Sequence, residues 1–330
     1  MNKIRTGVIG VGYLGKFHAE KFDMLPNSEL VAVCDIHEDR CKEIARRHNV
    51  EPIFDYTKLI NKIDAVSIAV PTSLHYPIAK FFLENGIHVL LEKPIASTVV
   101  EAQSLIDIAN QKKVVFQIGH LERFNSVLVA LDTVIDNPRF IESIRLAPFK
   151  PRGTDINVVL DLMIHDIDII QRIVGSPIIN IHANGASVLS SHIDIANVRL
   201  QFENGCVANV TASRVSFKVE RKLRIFQHDA FISLDLHNKK LAIHRKGISE
   251  MFPGIPEIIS EEQAYEQGDA LLDEISAFLH SIRTNTQPVV TGEDGKRALA
   301  TAVEITRIVS DQLTADEAAG FVAQSLILND

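Results

Sequence analysis

The sequence predicts an α/β protein. Its N-terminal part reads as a doubly wound parallel sheet, and a C-terminal α+β domain follows with an open, mostly antiparallel sheet. Two observations carry this. Up to about residue 120, short and nearly continuous Val/Ile-rich runs alternate with amphipathic segments, as they do when strands buried on both faces are joined by crossover helices. Beyond that point the rhythm changes to successive alternating runs joined by short polar turns, the mark of antiparallel strands.

Taken in order, apolar runs at 4–9, 30–34, 64–70, 87–91 and 114–118 read as strands. Helical patterns lie between them at 13–25, 38–48, 73–84 and 98–110. Gly86 stops the third, and Ser97 or Thr98 caps the fourth. Helical patterns follow at 122–135 and 159–174, then strands at 178–188, 194–202, 206–214, 221–227, 230–236 and 240–244. Asn204-Gly205 reads as a tight hairpin turn and His237-Asn238 as another. Residues 247–262, with Gly247, Pro253, Gly254 and Pro256, read as a loop. Helices at 268–284 and 294–313 are expected to pack near the domain junction. The predicted division is a dinucleotide-binding domain at 1–120, a substrate-binding and oligomerisation domain at 121–313, and a tail at 314–330.

The chain has 330 residues, enough for two cores, and its 46% hydrophobic and 23% charged residues suit a globular protein. A formal charge of -8 without a basic block argues against nucleic-acid or anionic-membrane surfaces. The N-terminus runs straight into a strand and a glycine turn, and no apolar stretch approaches a membrane span, so the expected location is the cytoplasm. Cys34, Cys41 and Cys206 have no zinc-ligand or redox-motif spacing, and no metal site is expected.

The strongest motif is Gly10-Val11-Gly12-Tyr13-Leu14-Gly15, which follows a strand and opens a helix. In that context Gly10 permits the turn, Gly12 lets a pyrophosphate approach the backbone, and Gly15 lets helix pack on strand. The helix N-terminus supplies N–H groups for phosphate. Asp35 ends the second strand, twenty residues beyond Gly15, where an acid accepts the adenosine ribose hydroxyls. No Arg follows it immediately, which points to NAD over NADP. Glu92-Lys93-Pro94 ends the 87–91 strand, on the edge where ligands sit in parallel sheets. Alone, this triplet would read as a surface ion pair.

These features together resemble the Gfo/Idh/MocA oxidoreductases. GVGYLG with Asp35, Val70-Pro71-Thr72 with His75, Glu92-Lys93-Pro94, and Asp161-Leu162-Met163-Ile164-His165 occur in family order, and the domain pattern matches from residue 4 to about 313. The resemblance implies a Rossmann domain and an α/β domain whose sheet mediates homodimer or homotetramer assembly. It implies NAD as cofactor, held by Gly10, Gly12, Tyr13, Leu14, Gly15, Asp35, Pro71, Thr72, His75, Glu92 and Lys93. Glu92 would meet the nicotinamide ribose and Lys93 the reacting hydroxyl. It further implies that Asp161 and His165 lie in the substrate pocket. The family commonly has a small residue at Met163, which leaves the pocket shape open. On its apolar neighbours alone, His165 reads as a core histidine.

Longer strings narrow the resemblance. Gly119 to Asn125, Arg145 to Phe149 with Arg152 to Asp155, Val158 to Ile169, and Phe202 to Arg214 look like the branch that oxidises the 3-hydroxyl of UDP-N-acetylglucosamine. That branch supplies a 3-keto sugar to an aminotransferase, toward the 2,3-diamino sugars of lipid A biosynthesis. The candidates for holding such a substrate are Arg123, Asn125, Arg145 and Arg152; arginine forks match diphosphate oxygens. Lysine ordinarily titrates near ~10.4 and histidine near ~6.5, so histidine serves as a base near neutrality at little cost. The expected roles are therefore His165 as base, Asp161 as its orienting partner and Lys93 as the charged donor to a developing alkoxide. The reverse assignment for Lys93 and His165 stays open. Two other readings stand beside this one: an inositol or other sugar dehydrogenase of the same family, and a non-catalytic NAD-sensing protein.

Overall fold

A computed structural model describes residues 3–150, 156–266 and 268–327. The first third forms β1 (Ile4–Ile9), α1 (Gly15–Met24), β2 (Ser28–Cys34), α2 (Glu38–His48), β3 (Glu51–Ile53), β4 (Ala65–Ile68), α3 (His75–Glu84), β5 (His88–Glu92), α4 (Val99–Lys112) and β6 (Phe116–Gly119). All pairings are parallel, in the order β3-β2-β1-β4-β5-β6. The strand order reverses between β1 and β4, so the carboxyl edge of the sheet opens a ligand crevice there. Thr98 caps α4 in a reciprocal box with Glu101. The three-residue β3 was not expected; Pro52 and two exposed positions hide so short an edge strand.

After a 3-10 turn at Leu121–Phe124 come α5 (Ser126–Leu131) and β7 (Phe140–Leu146). A single π-helical turn, Val159–Met163, leads into α6 (Ile164–Val174). Seven strands follow: β8 (Ile178–Ala186), β9 (Ile195–Phe202), β10 (Val207–Ser213), β11 (Glu220–Phe226), β12 (Ala230–Asp235), β13 (Lys240–Phe252) and β14 (Ile255–Ala264). The sheet order is β14-β13-β12-β11-β7-β10-β9-β8. Every pairing is antiparallel except β7 with β10.

Two expectations change here. β7 lies at the centre of this sheet, yet its inward positions after Ile141 are Ser143 and Arg145, so the apolar alternation that announces a strand is broken. The 247–262 segment is not a loop but the far end of the β13–β14 hairpin. Phe252 pairs with Ile255 across Pro253-Gly254, and Gly254 takes a φ of 79° that only glycine adopts freely. Both strands are exposed there, so neither shows a buried face.

The last elements are α7 (Ala270–Thr284) and α8 (Gly292–Ile327). The α8 helix continues through the segment expected to be a tail, as far as Ile327. The chain divides into two compact units: one runs to Phe124 and takes up Asp269–Leu299, and the other holds Asn125–Gly268 and the chain from Ala300. The α7 helix is therefore part of the first unit. Its Ile275, Phe278 and Leu279 join Val8, Phe22 and Leu90 in one buried cluster. A sheet covered on this face by α1 and α2 alone would leave apolar surface in water, and α7 closes it.

Phe278 is completely buried. Phe278→Ala should cost about 3–5 kcal/mol of stability, read by denaturant unfolding. A loss below about 1 kcal/mol would show that α7 is not part of this core.

Candidate functional site

In the first unit the candidate residues gather along the carboxyl edge of the parallel sheet. Gly10 follows β1 with a φ of 81°, and its N–H donates to the Cys34 carbonyl at 2.8 Å. A Cβ on Gly10 would stand 2.5 Å from the Ala69 carbonyl oxygen, and one on Gly15 would stand 1.8 Å from that of Gly10. These two glycines let α1 and β4 close on the turn. Gly12 is different: a Cβ there meets nothing within 4 Å. No side chain caps the start of α1. An open glycine backbone beside uncapped helical N–H groups fits a pyrophosphate. Tyr13 and Leu14 are exposed beside it.

Asp35 lies at the end of β2 and is buried. Its Oδ2 accepts from Val11 N at 3.0 Å and its Oδ1 from His37 N at 2.9 Å. No arginine follows Asp35 immediately in the chain, but Arg40 meets it in the fold. That guanidinium reaches back one helical turn and binds both carboxyl oxygens, at 2.7 Å and 2.9 Å from Nη2. Burial alone would push the Asp35 carboxyl up, but Arg40 and the two backbone donors hold it below the ordinary carboxylate range. The acid is ionised and oriented, as a ribose acceptor must be.

Glu92 ends β5. Its Oε1 lies 3.1 Å from His18 Nε2, and His18 Nδ1 lies 2.8 Å from Ser67 Oγ. Lys93 N donates to Glu92 Oε2 at 3.2 Å. Burial pushes the Glu92 carboxyl up, but the His18 hydrogen bond and the neighbouring positive groups draw it below its ordinary value. Gly119, paired with Glu92 on β6, leaves the room: a Cβ there would sit 3.1 Å from Glu92 Oε2. The Lys93–Pro94 bond is cis.

Pro71 and Thr72 follow β4 on the same edge, at the start of a short 3-10 turn. His75 does not face outward with them. It is buried, with Nδ1 2.8 Å from the Pro94 carbonyl and Nε2 2.9 Å from that of Val70. His75 is therefore a strut between the two edge loops. Burial pushes its pKa below the ordinary histidine value.

In the second unit, Asp161 and His165 lie where the π turn passes into α6, and both are half-buried. The sequence led to one regular α-helix. Such π turns recur at functional sites, and no apolar period reveals them. Asn157 Oδ1 accepts from Val159 N and Leu160 N at 3.0 Å and starts the turn. Arg214 donates to the Ile156 carbonyl at 2.6 Å and to Asp194 Oδ1 at 2.7 Å. Asp194 Oδ2 in turn gathers the N–H groups of Val188, Leu189 and Ser190. Burial would raise the Asp194 carboxyl; these donors and Arg214 hold it far below the carboxylate range. Met163 is fully buried in the core, so the unusual side chain is absorbed by packing.

The substrate candidates divide. Arg145 was expected to meet a diphosphate, but it is buried and forms a two-pronged ion pair with Asp166, at 2.7 Å and 3.1 Å. Asp166, the residue after His165, is thereby a buried anchor. Asn125 caps α5 through Val127 N and donates to the Leu236 carbonyl, which is a structural duty. Arg123 is buried, with Asp294 at 3.7 Å. Arg152 lies outside the described residues.

A family model described as an oxidoreductase family with an NAD-binding Rossmann fold matches residues 4–120, and a GFO/IDH/MocA C-terminal domain model matches 138–232. The chain is 38% identical to UDP-N-acetylglucosamine 3-dehydrogenase of Acidithiobacillus ferrooxidans, covering 92% of this chain and 97% of that protein. The solved structure of that enzyme superposes with a TM-score of 0.88 at 36% identity, over 94% of this chain and 98% of the other. Myo-inositol 2-dehydrogenase of Thermotoga maritima is 26% identical over 90% of this chain and 93% of its own.

The glycine turn gives a paired prediction. Gly12→Ala should keep the melting temperature but weaken NAD+ binding at least about tenfold, or about 1.4 kcal/mol, by calorimetric titration. Gly15→Ala should instead damage folding, because its Cβ meets backbone at 1.8 Å. Normal NAD+ affinity in the Gly12 variant would remove the pyrophosphate from this turn.

Proposed function

The chain belongs to the Gfo/Idh/MocA oxidoreductase family, and from that premise we propose that it oxidises the 3-hydroxyl of UDP-N-acetylglucosamine to a ketone. It is an NAD-dependent dehydrogenase. Bound NAD+ supplies the hydride acceptor, so the sugar carbon gives up a hydride, the hydroxyl gives up a proton, and NADH and a 3-keto sugar result. The observation that carries the substrate is the near full-length similarity to an enzyme named for this reaction, at 38% identity against 26% for the inositol enzyme. The strings at 119–125, 145–155, 158–169 and 202–214 support it.

The residues divide the work as follows. Gly12 and the start of α1 hold the pyrophosphate, Asp35 the adenosine ribose, and Glu92 the nicotinamide ribose. Pro71, Thr72, Tyr13 and Leu14 line the cofactor edge. His165 takes the hydroxyl proton. Its Nδ1 is buried, so Nε2 is the nitrogen assigned to this step. Asp161 orients the ring. The Lys93 ammonium donates through Nζ to the oxygen as charge develops on it. The buried Arg145–Asp166 pair holds the helix that carries His165. With Arg123, Asn125 and Arg145 engaged elsewhere, Arg152 is the diphosphate ligand retained from the sequence. An aminotransferase consuming the ketone, a cytoplasmic location and a homodimer or homotetramer complete the proposal. Among the described residues no helix is long and apolar enough to cross a membrane.

Lys93→Met and His165→Ala should each lower turnover by about 10²–10⁴-fold while NAD+ affinity stays near that of the wild type. Product analysis by NMR or mass spectrometry, with UDP-N-acetylglucosamine, NAD+, an amine donor and a partner transaminase, should show 3-keto and 3-amino sugar. Free N-acetylglucosamine should react very poorly, because remote binding energy positions the reacting carbon. No such product, together with clear activity on an inositol, would move the protein to the inositol reading.

A further inference from the structure

Glu92 has a second carboxyl for company. On β5, Leu90 and Glu92 share one face; on β6, Gln117 and Gly119 do, and the register pairs Leu90 with Gln117 and Glu92 with Gly119. Helices α1 and α7 cover this face. His18 reaches Glu92 from α1, and Gln117 Nε2 donates to the Glu274 backbone carbonyl of α7 at 3.1 Å. The side chain of Glu274 is completely buried, and neither carboxyl oxygen has a hydrogen-bond partner.

A carboxylate anion in such surroundings lacks the donors that make a buried charge tolerable, whereas a protonated acid loses far less on leaving water. Burial raises the Glu274 carboxyl well above the usual range, and the negative charge of Glu92 raises it further. Glu92 goes the other way, because it has His18, Lys93 and His75 as favourable neighbours. Two acids whose surroundings pull them apart divide into one proton carrier and one anion. Other titratable groups near it are Lys16, His18, Glu20, Lys21 and Asp23 on α1, Asp273, His280 and Arg283 on α7 itself, and His120, Glu122 and Arg123 beyond β6. Lys21 is bound to Glu20 and Asp269, and Arg123 lies 3.7 Å from Asp294. The charge that acts on Glu274 is that of Glu92.

We propose that Glu274 is held as a neutral acid in the folded protein, so that Glu92 at the end of β5 is the one anion of the pair. The functional meaning rests on the reading above, in which Glu92 meets the cofactor; the protonation itself does not.

The test uses the full chain without cofactor or substrate, so its failure is separate from any failure of the assigned reaction. The native state keeps a proton that the unfolded chain releases above the ordinary value of 4.5. Stability from this group is therefore lost as pH rises from there toward the folded value. The unfolding constant of the wild type, relative to Glu274→Gln, should climb by up to about tenfold per pH unit in that window. A pH-independent ratio would mean that Glu274 is ionised, and would overturn the proposal. Infrared spectra at neutral pH should show a protonated-carboxyl stretch that moves on ¹³C-glutamate labelling and vanishes in Glu274→Gln. Should that variant not fold, the labelled wild type decides alone: the stretch present supports the proposal, and its absence overturns it.

Discussion

The close approach of α1 to the end of β1 governs the cofactor half of the molecule. At Gly15 the two backbones are so near that a single Cβ would overlap the Gly10 carbonyl. That contact sets where the N–H groups at the start of α1 point. It also sets where the rest of the helix can reach. His18, one turn further on, is brought against Ser67 and Glu92, so the turn that fits the pyrophosphate also fixes the carboxylate at the other end of the site. Phe22, a turn beyond, enters the core that α7 completes. Binding geometry and folding thus draw on one packing constraint.

The second unit uses a different device. Its candidate residues stand on a helix whose start is not closed by regular α-helical bonding but by a π turn held from outside. Arg214 and Asp194 tie down the approach at Ile156, and the buried Arg145–Asp166 pair fixes the helix next to His165. Removing one partner of a buried pair typically costs about 3–5 kcal/mol, because the other charge is left stranded. Such pairs contribute more to placement than to net stability. They also explain why arginines that look like anion ligands in a sequence can be structural instead.

Much of the first unit was legible because its signals are local. Strand, glycine turn, helix and Asp35 lie within about thirty residues, and the apolar stretches at the centre of β2 and β5 are unbroken. What escaped was set by residues far away in the chain or by polar interiors. Arg40 was passed over because it returns to Asp35 from the next helix. β7 was hidden because Ser143 and Arg145 occupy inward positions. The β13–β14 hairpin was read as a loop because its strands have no buried face. The α7 helix showed a clear helical period, but nothing local says that it closes a core formed some two hundred residues earlier. Glu274 carries no motif at all; only its burial beside Glu92 marks it.

The central claim is that this chain removes a hydride from C3 of a nucleotide sugar. UDP-N-acetylglucosamine carrying deuterium at C3 tests it most directly, by mass analysis of the reduced cofactor after reaction with NAD+. The account predicts deuterium in the NADH and a slower rate if hydride transfer limits turnover. Reduced cofactor free of deuterium, with the label still on the sugar, would contradict it.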